Sequence, residues 1–372
     1  MNTARETVFS TSVTDQDRSL SGKGGILPCQ VLEALIDNGE AIRPARPVEP
    51  GQIQPASLDL RLGKRAFRVR ASFLPGDKAT VRQKIDQFAM HAFELGDVGT
   101  VLEKGCVYIV ELIESLALDQ GVSALANPKS SIGRIDVFTR LITDHGMEFD
   151  KVRPGYQGPL YAEISPRTFS ILARAGDRLN QLRLRRAAPA GVACDETLQD
   201  REGVPVTVNL AGDAESDGVI GYRARKHAGL IDLRNLGHYD VADFWHVLRA
   251  KRDRTLVLDP DEFYILASKE AVRIPPDQAA EMLAYDTSIG EFRVHYAGFF
   301  DPGFGHADAE GTRAVLEVRS HEVPFVLEDG QRVGQLIYEG LSARPDQLYG
   351  EGIGSNYQHQ GLRLSKHFAV DR

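Results

Sequence analysis

Two diverged copies of one unit run through this chain of 372 residues, and that duplication limits its fold more than any single motif does. "VLEKGCVYIV" at 101–110 returns as "VLDPDEFYIL" at 257–266, an offset of 156. Ser131 and Ser288 lie 157 apart, Gly155 and Gly303 148, Glu163 and Glu317 154, and Gln181 and Gln335 again 154. Chance matches do not stay collinear over five landmarks. Two copies make a domain duplication, because a solenoid needs about three repeats or more to bury its faces. The expected organisation is a mobile arm at 1–24, a first domain at 25–185, a polar linker at 186–203 and a second domain at 204–372. The length suits two domains of ordinary size.

Each copy reads mainly as short strands. "CVYIVELI", "FYILAS", "AVLEVRS" and "GQLIYEG" mix β-branched and aromatic residues and end at Gly, Pro or Asp turns. Helical periodicity is sparse. "CQVLEALIDNG" at 29–39 puts Val31, Leu32 and Leu35 on one face and ends at Gly39. "DVADFWHVLRAK" at 240–251 reads as its counterpart, and "PPDQAAEML" at 275–283 as a short turn of helix. Many short strands with few short helices predict a mainly β fold, a barrel or sandwich of the distorted jelly-roll kind.

Several chemistries are excluded. There is no CxxC, no HxE followed by PCxxC and no HExxH, so the usual zinc signatures, that of the zinc base deaminases among them, are missing. Walker, Rossmann and GxSxG patterns are also absent. A net charge of −8 argues against a general nucleic-acid binder. No apolar run approaches the roughly 20 residues of a membrane span, and the first 24 residues lack an apolar signal core. Three scattered cysteines predict a reduced, cytoplasmic protein without a disulfide framework.

What remains is local. "PKSSIGR" at 128–134 sets two hydroxyls and a glycine turn between Lys129 and Arg134, as a phosphate cradle requires. Taken alone it reads equally as a polar β-turn. Its repeat, "YDTSIGEF" at 285–292, carries Asp286 and Glu291 at the matching places. Glu163 and Glu317 each interrupt an apolar strand. Strand alternation allows a solvated outward carboxylate, and the other reading is one facing a pocket, where desolvation suits proton transfer. Asp301 precedes Pro302 and Gly303 in a tight turn, flanked by Phe299, Phe300 and Phe304. The Gly-rich tail at 349–361 reads as a lid or as a loose terminus.

Taken together, "ASLDLRLG" (56–63), "KSSIGR" (129–134), "AGFFDPGFG" (297–305), "AVLEV" ending at Glu317 strand positions, "GQLIYE" and "GSNYQHQG" resemble the dCTP deaminase branch of the dUTPase-like superfamily. The resemblance implies two tandem dUTPase-like distorted jelly-roll β-barrel domains, homo-oligomers built on three-fold or pseudo-three-fold packing, and sites shared between neighbouring units. It implies dCTP as substrate, with Mg2+ bound through its triphosphate, no zinc, and hydrolytic release of dUTP and ammonia for pyrimidine deoxynucleotide synthesis. Residue by residue, it places phosphate contacts on Lys129, Ser130, Ser131 and Arg134, with Ser130 and Arg134 also ordering the reacting centre. The carbonyl that orients water falls on Ala297, the sugar-reading carboxylate on Asp301 beside Phe304, and the proton shuttle on Glu317. Glu163 is the copy of that shuttle in the first unit. Tail contacts fall on Tyr349, Tyr357, Gln358 and Gln360.

The chain departs from the pattern at Asn356, where the family tail carries lysine, and at Arg153, which stands where the second copy has Asp301. An extra "HADAEGT" separates Gly303 from Glu317. Two alternatives stay open: a dUTPase, or a bifunctional enzyme that also cleaves between phosphates, and a non-catalytic nucleotide-binding protein. The charge reversal predicts a division of labour, with phosphates held by the first unit and base and sugar by the second.

Overall fold

The strand Ser57–Val69 organises the first half of the chain. In the computed structural model, which describes residues 24–39, 41–188, 203–212, 217–284, 292–295, 298–306, 311–320, 322–350 and 362–369, this strand belongs to two sheets. Residues 58–61 pair with the strand Arg178–Arg186, and residues 62–69 with the strand Val107–Ala117. The register shifts between Leu62 and Ala66, as a strand that turns a barrel corner must. Gly63 sits at that corner, and a Cβ there would lie 2.5 Å from the Glu111 carbonyl oxygen. Only glycine lets the two backbones approach so closely.

The order through this half runs Lys151–Val152, Val122–Pro128, Arg178–Arg186, Ser57–Val69, Val107–Ala117, Gln157–Pro166 and Val137–Thr143, a nearly closed barrel of antiparallel neighbours. Strand alternation sends Leu58, Leu60, Leu182 and Leu184 into one of its cores. In the second half the strands Trp245–Arg249, Val219–Ala224, Phe263–Val272, Thr312–Ser320 and Phe292–His295 form one sheet. Val204–Thr207, Arg332–Gly340, Gln278–Ala284 and Phe299–Phe300 form another. The mainly β, jelly-roll expectation matches this architecture.

The repeat is reproduced in the pairing register. Glu163 faces Ile109 in the first half, and Glu317 faces Ile265 in the second. Gln181 faces Asn127, and Gln335 faces Leu283. The halves are fused along a parallel pairing of Ile171–Leu172 with Ile231–Asp232, and Arg174 grips Asp232 through two bonds of 2.6 and 2.8 Å. A shared core seals the junction. Phe169 packs edge-on against Phe244 and Trp245 at centroid distances of 5.6 and 5.5 Å, and Phe368 closes on the same rings.

Three local expectations need correction or addition. The opening helix forms as read, over Cys29–Asp37, with Leu32 buried. Residues 240–251 instead split into one turn, Val241–Phe244, and the strand Trp245–Arg249. Trp245 is drawn into the shared core, and this tertiary gain overrides the apparent helical period. Residues 278–284 are strand, because Ala279 and Ala280 fill a position between two neighbours where a helix has no room. A helix at Val81–Phe88 was not foreseen, though "TVRQ" announces it: the Thr80 side chain accepts from Gln83 N, and the Gln83 side chain caps Thr80 in return.

Candidate active site

One cavity of about 480 Å³ lies where the halves meet, and both contribute to its wall. From the first half comes the turn after the Val122–Pro128 strand. Lys129 leads into a single helical turn, Ser130–Gly133, and Arg134 ends it. Ile132 is buried and anchors the turn, which leaves Ser130, Ser131 and Arg134 on the cavity. Lys129 Nζ donates to both oxygens of buried Asp59, at 2.6 and 2.5 Å. That carboxylate is the Asp of "ASLDLRLG", so this motif orients the lysine.

The second half brings Asp301, Phe304, Glu317 and Tyr349. Gly305 permits the turn that presents Asp301: its φ is +66°, and a Cβ would meet the Val272 carbonyl oxygen at 2.2 Å. Phe304 stacks edge-on to Phe300 at 5.0 Å and against Tyr349 at 5.4 Å, so it serves the core and the wall together. Asp301 is 7% exposed, and among the described residues no donor meets its Oδ1. Burial raises its carboxyl to about 6, opposed by the charges of Arg183 and Lys129. Arg183 comes from the first half and is itself buried, its guanidinium 3.0 Å from the centroid of the Phe299 ring. Burial lowers its own pKa to about 10, opposed by Glu281 and Glu339.

Glu317 is 5% exposed, and burial pushes its carboxyl up to about 8. The opposing influence is Arg134, whose Nε stands 4.0 Å from Glu317 Oε1. Across the strand pair Glu317 faces the backbone position of His295, whereas Glu163 faces Arg140. Arg140 reaches Glu163 Oε1 with Nε at 3.1 Å and with Nη2 at closer range, and stacks over Phe149 at 3.7 Å. Glu163 is ion-paired, 1% exposed and not on the cavity, so the copied carboxylate is not brought to the site.

A further link locks the halves behind the site. Arg319, two residues beyond Glu317, binds Asp136, two residues beyond Arg134, and both are buried. Thr168 Oγ1 accepts from Arg319 at 2.9 Å and donates to Asp136 at 2.5 Å. Sequence reading missed this clamp. It also missed Asp59, Arg178, Arg313, Arg363 and Lys366, all on the cavity wall. "LRLSKHF" after the Gly-rich tail was a detectable basic and aromatic run, but nothing local says where it docks. Ala297, Tyr357, Gln358 and Gln360, with the acidic turn 285–291, lie outside the described residues. Among the described residues no cluster of three His, Cys, Asp or Glu could hold a metal ion. No helix among them is long and apolar enough to cross a membrane.

The chain resembles known proteins along both halves. The solved structure of 2'-deoxycytidine 5'-triphosphate deaminase from Agrobacterium tumefaciens is 51% identical, with a TM-score of 0.79, and the match covers 86% of this chain and 99% of that one. A "dCTP deaminase, dUMP-forming" of Pseudarthrobacter chlorophenolicus is 31% identical over 147 residues, which is 37% of this chain and 73% of the relative. Another protein of that name, from Kocuria rhizophila, is 37% identical over 140 residues, covering 35% and 69%. Residues 23–188 match the N-terminal domain, and residues 179–368 the C-terminal domain, of the 2'-deoxycytidine 5'-triphosphate deaminase (DCD) models. With both domain types matched in order and the two halves meeting around one cavity, the chain belongs to the 2'-deoxycytidine 5'-triphosphate deaminase family.

Proposed function

We propose that this chain deaminates dCTP hydrolytically to dUTP and ammonia, using one composite site per chain. The observation that carries this reading is Glu317: a carboxyl 5% exposed, raised to about 8, and set 4.0 Å from a guanidinium of the other half. The cavity's size of about 480 Å³ suits a nucleotide. Around neutral pH the Glu317 carboxyl holds its proton and donates it to N3 of cytosine as water adds to C4. The carboxylate so formed takes a proton from that water and passes it to the leaving amine, and it regains its own proton from the C4 hydroxyl as ammonia departs and the carbonyl forms. Arg134 stabilises the transient carboxylate, and Ser130 and the Ala297 carbonyl orient the water.

Asp301 Oδ1, still lacking a donor, takes the 3′-hydroxyl of the sugar, and Lys129, Ser130 and Ser131 take phosphate oxygens. Mg2+ enters as part of the substrate, on its phosphates. Tyr349, with Tyr357, Gln358 and Gln360, closes over the triphosphate. Assembly on three-fold or pseudo-three-fold axes follows from the resemblance, and the mass of the purified particle tests it.

A second reading has a specific support: the relatives named above are described as dUMP-forming. Incubation with dCTP and separation of products decides. Ammonia with dUTP supports deamination alone, and dUMP with pyrophosphate supports both steps. Tight binding without turnover would favour a non-catalytic nucleotide binder. Glu317→Gln is expected to lower kcat by about 10²–10⁴-fold; full retention of deamination by this variant would falsify the assignment.

A further inference from the structure

Residues 362–369 lie beyond the tail positions implied by the resemblance, yet the fold holds them against the serine turn. Ser365 Oγ donates to the Ser131 carbonyl oxygen at 2.7 Å, and Arg134 Nη1 donates to the Arg363 carbonyl oxygen at 3.1 Å. From the other side, the N–H groups of Gly237 and His238 donate to the carbonyl oxygens of Lys366 and His367, both at 2.9 Å. The His367 ring is buried between Ser365 Oγ at 2.8 Å and the Leu233 carbonyl oxygen at 3.2 Å. Burial keeps that ring neutral, with its pKa near 4. Phe368 anchors the segment in the shared core, 5.4 Å from Phe244 and 5.7 Å from Trp245. The backbone at Lys366 is therefore pinned on both sides, which fixes where its side chain leaves the chain.

Lys366 lines the same cavity as Lys129 and Arg178. Burial, then the charge of Lys129, pull its pKa below the ordinary lysine range, and Asp59 opposes them. Lys129, Arg178 and Lys366 thus share one wall with buried Asp59, which is bonded to Lys129 at 2.5 Å. Arg178 is answered at the rim by Glu49, at 2.8 Å. A wall that carries several cations suits an anion of several charges, and a triphosphate is such an anion.

We propose that Lys366 reads the length of the substrate's phosphate chain, binding the terminal phosphate and so setting the preference for deoxycytidine triphosphate over the mono- and diphosphate. The inference rests on the deaminase reading above. Ammonia release from dCTP, dCDP and dCMP by the full chain and its Lys366→Met, Lys366→Gln and Lys366→Arg variants tests it. Met and Gln are expected to raise KM for dCTP about 10–100-fold with kcat within about threefold. Their kcat/KM for dCMP should be unchanged, so that the preference falls by the same factor, and Arg should recover most of it. An unchanged KM for dCTP in a folded Met or Gln variant overturns the proposal. So does an equal loss for dCTP and dCMP, or Arg behaving like Met, because a packing role would do either. Wild-type protein that released no ammonia would sink the deaminase reading instead. Equilibrium binding of dCTP against dCMP to the same variants would then decide on Lys366 by the same ratio.

Discussion

Glu317 and Glu163 occupy equivalent strand positions, and one cross-strand neighbour separates their chemistry. Arg140 neutralises Glu163, whereas Glu317 keeps a carboxyl that burial holds protonated up to about pH 8. In the free enzyme, kcat/KM for dCTP is expected to fall on the alkaline side with an apparent pKa near 8, as the proton for N3 is lost. On the acid side it should fall near 6, as Asp301 becomes protonated and stops accepting the sugar hydroxyl. A flat pH profile between 5 and 9 would contradict both assignments. The same shift bears on stability. The Glu317 carboxyl titrates near 4.5 when unfolded and about 8 when folded, so the folded state binds the extra proton in that window. The fold therefore loses stability as pH rises from about 4.5 to 8. Glu317→Gln removes this penalty, and calorimetry should find it melting several degrees above wild type at pH 8 and nearly level at pH 5. Glu163→Gln should behave in the opposite way, keeping kcat within about threefold while losing about 1–3 kcal/mol on urea unfolding.

At the scale of elements, the helical turn Ser130–Gly133 and the strand Thr312–Ser320 must be held at fixed spacing for Arg134 to face Glu317. The buried Arg319–Asp136 pair does this, joining the residues that follow each functional group in the chain. Arg319→Ala strands the Asp136 carboxylate, although Thr168 still donates to it. Urea unfolding should register a loss of about 3–5 kcal/mol, as for other buried pairs that lose one partner. Activity at a temperature where the variant is still folded should fall too, because the guanidinium–carboxyl spacing loosens. Full activity in a folded variant would show that the clamp serves stability alone.

Across the whole molecule, each half keeps core clusters of its own, and one further core joins them. One core draws Leu62, Val110 and Phe169 from the first half together with Trp245, Phe263 and Phe368 from the second. A shared core couples unfolding, so calorimetry should record a single cooperative transition where independent domains would give two. Phe368→Ala removes an aromatic ring from that core and is expected to cost about 3–5 kcal/mol. Two resolved transitions in wild type would show that the junction is weaker than its packing implies.

The order of residues by itself determined the duplication, the strand-rich character and the residue types of the site, because collinear repeats, strand composition and turn chemistry are local properties. Lys129, Ser130, Ser131, Arg134, Asp301, Phe304, Glu317 and Tyr349 were named from turn chemistry and from the resemblance of their motifs together, and all line one cavity. Only the tertiary structure decided which of two matching glutamates reaches that cavity, since the cavity lies where strands from both halves meet. It likewise decided that 245–249 and 278–284 are strands, where burial in a sheet outweighs the helical period of the segment. Nothing local to Asp59, Arg183, Arg319 or Lys366 says where it docks. Their roles exist only where two halves, far apart in the chain, bring charges into a space from which water is largely excluded.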